Sequence, residues 1–256
     1  MPLVFVPTWN SAATLEGTLR SIKIAIPNAS IVVIDRGSTD NTKRIALKYG
    51  KYVNFNGNIG ETRTLMCKMA QESSEWFAMV DSDMVLPENW FREVTRYKDK
   101  DVGAIFTRKF SVIKKIRGFE MWRQSALVFP VVNITRMDTA CVYINPKAVA
   151  GFQTTASNQE DKQLGEYIIK QGFKHVFVNI IADHYGNETI HDFWQHARWD
   201  GAGRRKIIKD STVEMLLAIF VMPLKAPPRL MLFTFKTYLQ EFIGYLLANY
   251  YFEYKR

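Results

Sequence analysis

Short apolar runs rich in Val and Ile recur along the chain, at Leu3 to Val6, Ser30 to Ile34, Tyr52 to Phe55, Trp76 to Val80, Val102 to Phe106, Cys141 to Ile144 and Val176 to Ile181. Runs this short, bounded by Gly, Pro, Asn or Asp, predict buried strands. Between several of them the apolar residues return at helical spacing, over Ala13 to Ile26, Thr42 to Tyr49, Glu61 to Glu72, Glu88 to Lys98 and Asp161 to Gln171. Strands alternating with helices predict an α/β fold, a mostly parallel sheet flanked by helices. Asp40 is placed to cap the second helix. Gly50 and Gly172 stand at helix C-termini, where a residue tolerant of positive φ is favoured.

The pattern changes after about Asp210. Ser211 to Pro223 and Leu230 to Phe252 carry more aliphatic and aromatic residues than a surface helix needs, with Pro223, Pro227 and Pro228 breaking the chain between them. This divides the chain into an α/β domain over 1–210 and C-terminal apolar helices over 211–256. The first stretch falls short of the ~20 apolar residues that cross a bilayer. The second is long enough, but Lys236, Gln240 and Glu241 interrupt it, and Lys236, Gln240 and Gly244 form an i, i+4 stripe. A helix lying in the interface of an anionic membrane is expected, with Lys209, Lys225, Arg229, Lys255 and Arg256 meeting headgroups. Packing on the α/β domain or forming an oligomer is the alternative.

The 256 residues are 47% hydrophobic and 23% charged, which excludes a disordered chain and leaves room for a complete catalytic domain. A formal net charge of +9 favours anionic partners such as nucleotides, diphosphates and acidic headgroups. No RNA- or DNA-reading motif is present, and the clusters Lys109/Lys114/Lys115/Arg117 and Arg204/Arg205/Lys206 read as solvated helix faces, so nucleic acid is not an expected partner. Cys67 and Cys141 stand alone and are expected to be reduced and structural. The opening residues lack a basic segment and read as a first strand rather than a signal peptide.

In an open parallel sheet, ligands gather beyond the carboxyl ends of the strands. Those positions hold Pro7-Thr-Trp-Asn10, Asp35-Arg-Gly-Ser38 and Asp81-Ser82-Asp83. Two carboxylates directly after a buried strand offer hard oxygen ligands to Mn2+ or Mg2+, which neutralises a departing diphosphate.

Together with Gly57-Asn-Ile-Gly-Glu-Thr-Arg63 and Glu160-Asp161, these segments give the chain a pattern that resembles family-2 glycosyltransferases of the GT-A fold, over roughly residues 1 to 200. The resemblance implies a nucleotide-binding sheet, a metal-assisted site for a nucleotide-diphosphate sugar and inversion at the anomeric carbon. It also assigns roles. Pro7, Thr8 and Asn10 match the first nucleotide-contacting loop, Asp35 the carboxylate that meets the base, and Arg63 the basic residue near the diphosphate. Asp81 and Asp83, flanking Ser82, match the ribose and metal ligands, and His184 aligns with a histidine that completes the metal site in some relatives. Of the Glu160-Asp161 pair, Asp161 matches the catalytic base and Glu160 a neighbouring acceptor contact. Two positions depart from the family, which usually carries acids where this chain has Arg36 and Gln163.

Gln195-His-Ala-Arg-Trp199 resembles the Gln-x-x-Arg-Trp motif of polysaccharide synthases, which implies that Arg198 pairs with a diphosphate and Trp199 packs on an acceptor sugar. With membrane-facing helices, the chain resembles dolichyl-phosphate mannose synthases and their relatives. That implies GDP-mannose or a UDP-sugar as donor, a polyprenyl-phosphate or lipid-linked glycan as acceptor, and the cytoplasmic face of the cell membrane as location. Two rivals are a sugar-phosphate nucleotidyltransferase, which would need a Gly-rich, Arg-containing loop after the first strand, and a non-catalytic glycan or membrane-surface binder, which would not need the acids Asp35, Asp81, Asp83 and Asp161.

Overall fold

The computed structural model describes residues 1–72, 75–125, 127, 131–132, 137–186, 189–205 and 211–248. Contacts divide the chain into two units, Met1–Lys109 with Leu127–Gly186, and Phe110–Ala126 with Asn187–Arg256. The boundary expected near 210 therefore falls inside the second unit, although residues 206–210 lie outside the described ones.

The first unit is built on a sheet that has nine strands among the described residues. Strands β1 (Leu3–Thr8), β2 (Ser30–Asp35), β3 (Lys51–Asn54) and β4 (Phe77–Val80) run in the order β3-β2-β1-β4, every pair parallel. Helices α1 (Leu15–Ala25), α2 (Thr42–Ala46) and α3 (Ile59–Gln71) fall between them in the chain. Beyond β4 come β8 (Cys141–Ile144), β6 (Val102–Ser111), β9 (Lys174–His184) and β5 (Met84–Val85), with β7 (Val131–Val132) paired to β9. Here β4–β8, β6–β8, β5–β9 and β7–β9 are all antiparallel. The α/β sheet with flanking helices is as the sequence predicts. The parallel pairings of β1 to β4 are joined by these antiparallel ones, which the sequence does not foretell because periodicity reports burial and not strand direction.

Both faces of the sheet are covered. Val4 and Val6 point into a core shared with Leu15, Leu19 and Ile22, whereas Phe5 points into one shared with Met66, Leu164 and Ile168. This two-sided burial explains why the strands read as unbroken apolar runs. Helix α4 (Trp90–Thr95) closes the first core through Trp90, and α6 (Glu160–Lys170) the second through Leu164 and Ile168. Gly172 does adopt a positive φ, of 86°, but Gly50 does not. It is needed for proximity, since a Cβ there would collide with the backbone carbonyl of Ile31.

The second unit gathers α5 (Lys114–Arg123), α7 (Ile190–Gly203), α8 (Thr212–Lys225) and α9 (Pro228–Leu246). Ile116, Phe119, Ile219, Phe233 and Tyr238 form its core. Lys114, Lys115 and Arg117 thus belong to a helix with one buried face. Pro223 sits within α8, and the chain breaks later, where Ala226 turns extended and Pro227 caps α9. In the stripe Lys236–Gln240–Gly244, Gln240 and Gly244 are buried in the seam between α9 and α7, and Lys236, itself exposed, reaches over α7. Lys236 Nζ stands 3.7 Å from the Trp194 ring centroid, Arg198 Nε donates to Gln240 Oε1, and Arg204 Nη1 donates to Glu241 Oε2 at 3.0 Å. The helices touch at two reciprocal glycines. A Cβ on Gly244 would run into the Arg198 carbonyl, and one on Gly201 into the Glu241 carbonyl. Among the described residues no helix is long and apolar enough to cross a membrane.

Candidate active site

The edge formed by the carboxyl ends of β1, β2 and β4 carries most of the expected residues. Pro7 and Thr8 end β1 and are buried, and Asn10 follows in a left-handed conformation, φ 48°. Asn10 ties two loops together. Its backbone N–H donates to Ser38 Oγ at 2.7 Å, and its Oδ1 accepts from Thr39 N at 2.9 Å. Ser11 Oγ lies 2.8 Å from Ser82 Oγ, which joins the first loop to Asp81-Ser82-Asp83.

Asp35 is fully buried. Ser38 Oγ donates to its Oδ1 at 2.5 Å and Tyr52 OH to its Oδ2 at 2.7 Å, with Thr8 Oγ1 a longer donor at 3.3 Å. Burial, then the Asp35 hydrogen bond and charge, push the Tyr52 phenol up to about 12. The oxygens of Asp35, expected to contact the base, are thus occupied by hydroxyls of β1, β3 and the loop after β2. Beside it, where the family usually has an acid, Arg36 Nε donates to the Gly57 carbonyl at 2.9 Å and the guanidinium lies 5.9 Å from the exposed Trp9 ring. Neither Trp9 nor a positive role for Arg36 is legible in the motifs.

Arg63 is the centre of a buried charge cluster. The segment that presents it folds as a helix start. Asn58 Oδ1 accepts from Glu61 N at 3.0 Å and Glu61 Oε2 accepts from Asn58 N at 2.8 Å, a reciprocal cap for α3. Loop 152–159 is stitched to this helix by Asn58 Nδ2 to the Thr155 carbonyl (2.8 Å) and Thr154 N to Thr64 Oγ1 (2.9 Å), and Gly60 leaves no room for a Cβ against Ala156. That stitching brings the start of α6, with Glu160 and Asp161, toward Arg63. Arg63 Nη2 donates to Asp81 Oδ1 at 2.6 Å, and its charge is further favoured by Glu160 and Asp161. Its Nε and Nη1 are buried with no hydrogen-bond partner. Burial raises the Glu160 carboxyl to about 7, opposed by Arg63 and reinforced by Asp161 and Asp81. Gln163 Oε1 accepts from Thr154 Oγ1 at 2.5 Å, so this non-acidic position helps hold the loop.

Asp83 is separated from this cluster in its partners. Antiparallel pairing of β5 with β9 sets Met84 opposite His184, and Tyr185 N donates to the Asp83 carbonyl at 2.8 Å. The register leaves His184 Nε2 at 3.4 Å from Asp83 Oδ2. Burial opposes the charge on Asp83 most strongly, but His184 and Lys109 together hold its carboxyl below the usual range. Asp83 Oδ1 and His184 Nδ1 are buried and unpartnered. Lys109, expected on a solvated face, instead lies within β6 and pairs with Asp138 at 2.9 Å. Burial opposes its charge, but Asp138, Asp81 and Asp83 raise its pKa.

Whether this site fits a divalent cation can be judged from its donors. Among the described residues no group of three His, Cys, Asp or Glu side chains is gathered for a metal. Asp81 is already held by Arg63. The Asp83–His184 pair does fit. At 3.4 Å the two donors are too far apart for a strong hydrogen bond. They are close to the ~3 Å that separates adjacent donors around an octahedral ion. A site with one carboxylate and few protein ligands is how Mg2+ is commonly held beside substrate phosphates.

Arg198 and Trp199 stand on α7 in the second unit, with Arg198 engaged by Gln240. Cys67 and Cys141 are free and buried, their thiols pushed up to about 12 by burial, which makes them inert.

Comparison with known proteins decides the family. The glycosyl transferase family 2 model matches residues 3–137, more than half of the chain. The chain belongs to glycosyltransferase family 2. It is 28% identical over 109 residues, 38% of this chain and 37% of the other, to an uncharacterized glycosyltransferase of Mycoplasma genitalium. It is 24% identical over 229 residues to poly-beta-1,6-N-acetyl-D-glucosamine synthase of Staphylococcus epidermidis, 79% of this chain and 54% of that one. The chain thus spans about half or less of the length of these curated relatives. In structure it is similar to the mannosyltransferase PcManGT from Pyrobaculum calidifontis in complex with GDP-mannose and Mn2+, with a TM-score of 0.61 at 15% identity, over 98% of this chain and 73% of that one. The likeness to this structure bears out the expected GT-A class of fold.

Proposed function

We propose that this family-2 glycosyltransferase moves a sugar from a nucleotide-diphosphate sugar, GDP-mannose or a UDP-sugar, to an acceptor hydroxyl with inversion, using Mn2+ or Mg2+. The observation that carries the reading is the buried Arg63, which holds Asp81, feels Glu160 and Asp161, and keeps two unpartnered nitrogens, Nε and Nη1. Their N–H groups suit a diphosphate, since charge-assisted hydrogen bonds to phosphate oxygens are strong. Asp83 and His184 would hold the cation, which supplies positive charge against the departing diphosphate.

In the proposed reaction Asp161 accepts the proton of the acceptor hydroxyl as its oxygen bonds to the anomeric carbon. The bond from that carbon to the diphosphate breaks, and its electron pair leaves with the diphosphate, balanced by Arg63. Glu160, whose carboxyl burial raises to about 7, adds a second negative charge beside Asp161 only as pH rises through that value. Asp35 and Asn10 shape the two loops that would receive the nucleoside. A lipid-linked or glycan acceptor at an anionic membrane surface is supported by α8, on which Val213, Leu217, Phe220 and Leu224 are exposed, with Lys225 and Arg229 beside them.

The test is a thermal-shift titration with GDP, UDP and their sugars, with and without Mn2+, on the wild type and on Asp83→Asn and Asp161→Asn. Asp83→Asn should lose the Mn2+-dependent part of the nucleotide shift. Asp161→Asn should keep the whole shift and lose transfer by orders of magnitude, because a base acts in the transition state. No stabilisation by any nucleotide would sink the reading.

A further inference from the structure

We propose that Gly186, by carrying no side chain, lets His184 and Asp83 converge closely enough to share a divalent cation. The inference rests on the reading of that pair as metal ligands and adds the residue that lets the pair work. An ideal Cβ built on Gly186 falls 2.5 Å from Asp83 Oδ2 and closer still to His184 Nε2. Real Cβ atoms do not tolerate such contacts.

Three facts separate Gly186 from the glycines that serve packing. Its neighbours at this point are the ends of two side chains, whereas Gly50, Gly60, Gly201 and Gly244 are confined by backbone. Its φ lies outside the left-handed region, so an alanine there meets no backbone strain. And the two side chains it faces carry buried polar atoms with no partner, Asp83 Oδ1 and His184 Nδ1. A methyl at position 186 would be accommodated by moving the imidazole and the carboxylate apart. The chain would fold, and the two donors would no longer converge. Gly186 is a positioning residue, acting through His184 and Asp83 rather than on the substrate.

The experiment compares wild type, Gly186→Ala and a control, Gly17→Ala, where a Cβ meets nothing within 4 Å. Mn2+ binding is read by electron paramagnetic resonance of the free ion, folding by circular dichroism and thermal melting, and nucleotide binding in EDTA by calorimetry. Gly186→Ala should melt within a few degrees of wild type, bind nucleotide in EDTA as wild type does, and bind Mn2+ at least tenfold more weakly. The control should retain wild-type Mn2+ affinity. Equal Mn2+ affinity in Gly186→Ala and wild type would overturn the role of Gly186 alone, as would a Gly186→Ala chain that does not fold. Wild-type protein whose Mn2+ binding is absent, or unchanged by Asp83→Asn, would instead overturn the parent reading of the pair.

Discussion

Arg63 and Asp81 form an ion pair at 2.6 Å in which the guanidinium is almost wholly buried and the carboxylate is 30% exposed. The asymmetry gives the two aspartates of Asp81-Ser82-Asp83 different tasks. Asp81 neutralises a cation that the fold has already committed to the interior, and Asp83 is left to face His184.

The first prediction follows from that asymmetry. Removing one partner of a buried pair leaves the other uncompensated, and the loss is largest when the survivor is the buried one. Asp81→Ala should therefore destabilise the chain by about 2 to 3 kcal/mol, with Glu160 and Asp161 still offsetting part of the Arg63 charge. Arg63→Met, which leaves a half-hydrated Asp81 and fills the same volume with apolar atoms, should cost less. Urea denaturation of both variants decides the order, and a larger loss for Arg63→Met would contradict it.

A second prediction concerns pH. Burial, countered by Arg63, raises Glu160 from an ordinary 4.5 to about 7, so the folded chain retains a proton that the unfolded chain has released. Stability conferred by that proton is full below about 4.5 and is lost as pH rises to about 7, a change of at most about 3 kcal/mol. Glu160→Gln should match wild type at pH 4 and exceed it at pH 8. Transfer should behave oppositely. Its rate should climb through pH 7 in wild type, as the Glu160 charge makes Asp161 a better proton acceptor, and flatten in the variant. Superimposable pH–rate curves would separate Glu160 from the reaction.

Much of the fold is legible in the chain because burial dictates composition. Val4, Phe5 and Val6 alternate between two cores, so nothing polar is tolerated and the strand announces itself. The antiparallel half is silent for the same reason, since Cys141 to Ile144 is equally buried whichever way it runs. In the site, the order of motifs reveals Arg63, Asp81, Asp83 and the Glu160-Asp161 pair. It cannot reveal Lys109 or Gly186, which act through register and proximity across the sheet. Nor can it show that the oxygens of Asp35 are occupied by Ser38, Tyr52 and Thr8. The polar stripe of α9 misleads most. Its spacing is the same whether it meets headgroups or another helix, and only the structure shows Trp194 and Arg198 against it.

The third prediction moves membrane contact from that stripe to α8. Val213, Leu217, Phe220 and Leu224 are 54 to 77% exposed, whereas Met215 and Ile219 on the same helix are buried. The triple variant Leu217→Ser, Phe220→Ser, Leu224→Ser should therefore keep its fold. Wild type should sediment with vesicles containing phosphatidylglycerol and be released only partly by high salt, because screening removes the charge attraction and leaves the apolar one. The variant should stay in the supernatant. Equal sedimentation of the two chains, or none for wild type, would return α8 to a packing role.

The reciprocal glycines of α7 and α9 bear on how this family can be cut and recombined. Gly201 and Gly244 let two backbones meet where no other residue fits, so each helix is shaped to one partner. In this chain the Gln-x-x-Arg-Trp segment and the tail that follows it therefore pack as a single module. A chimera that borrows a relative's C-terminal helices should be spliced ahead of Thr189. A junction behind residue 210 would leave the native α7 facing a borrowed helix, and any side chain at the position of Gly244 would run into the Arg198 carbonyl.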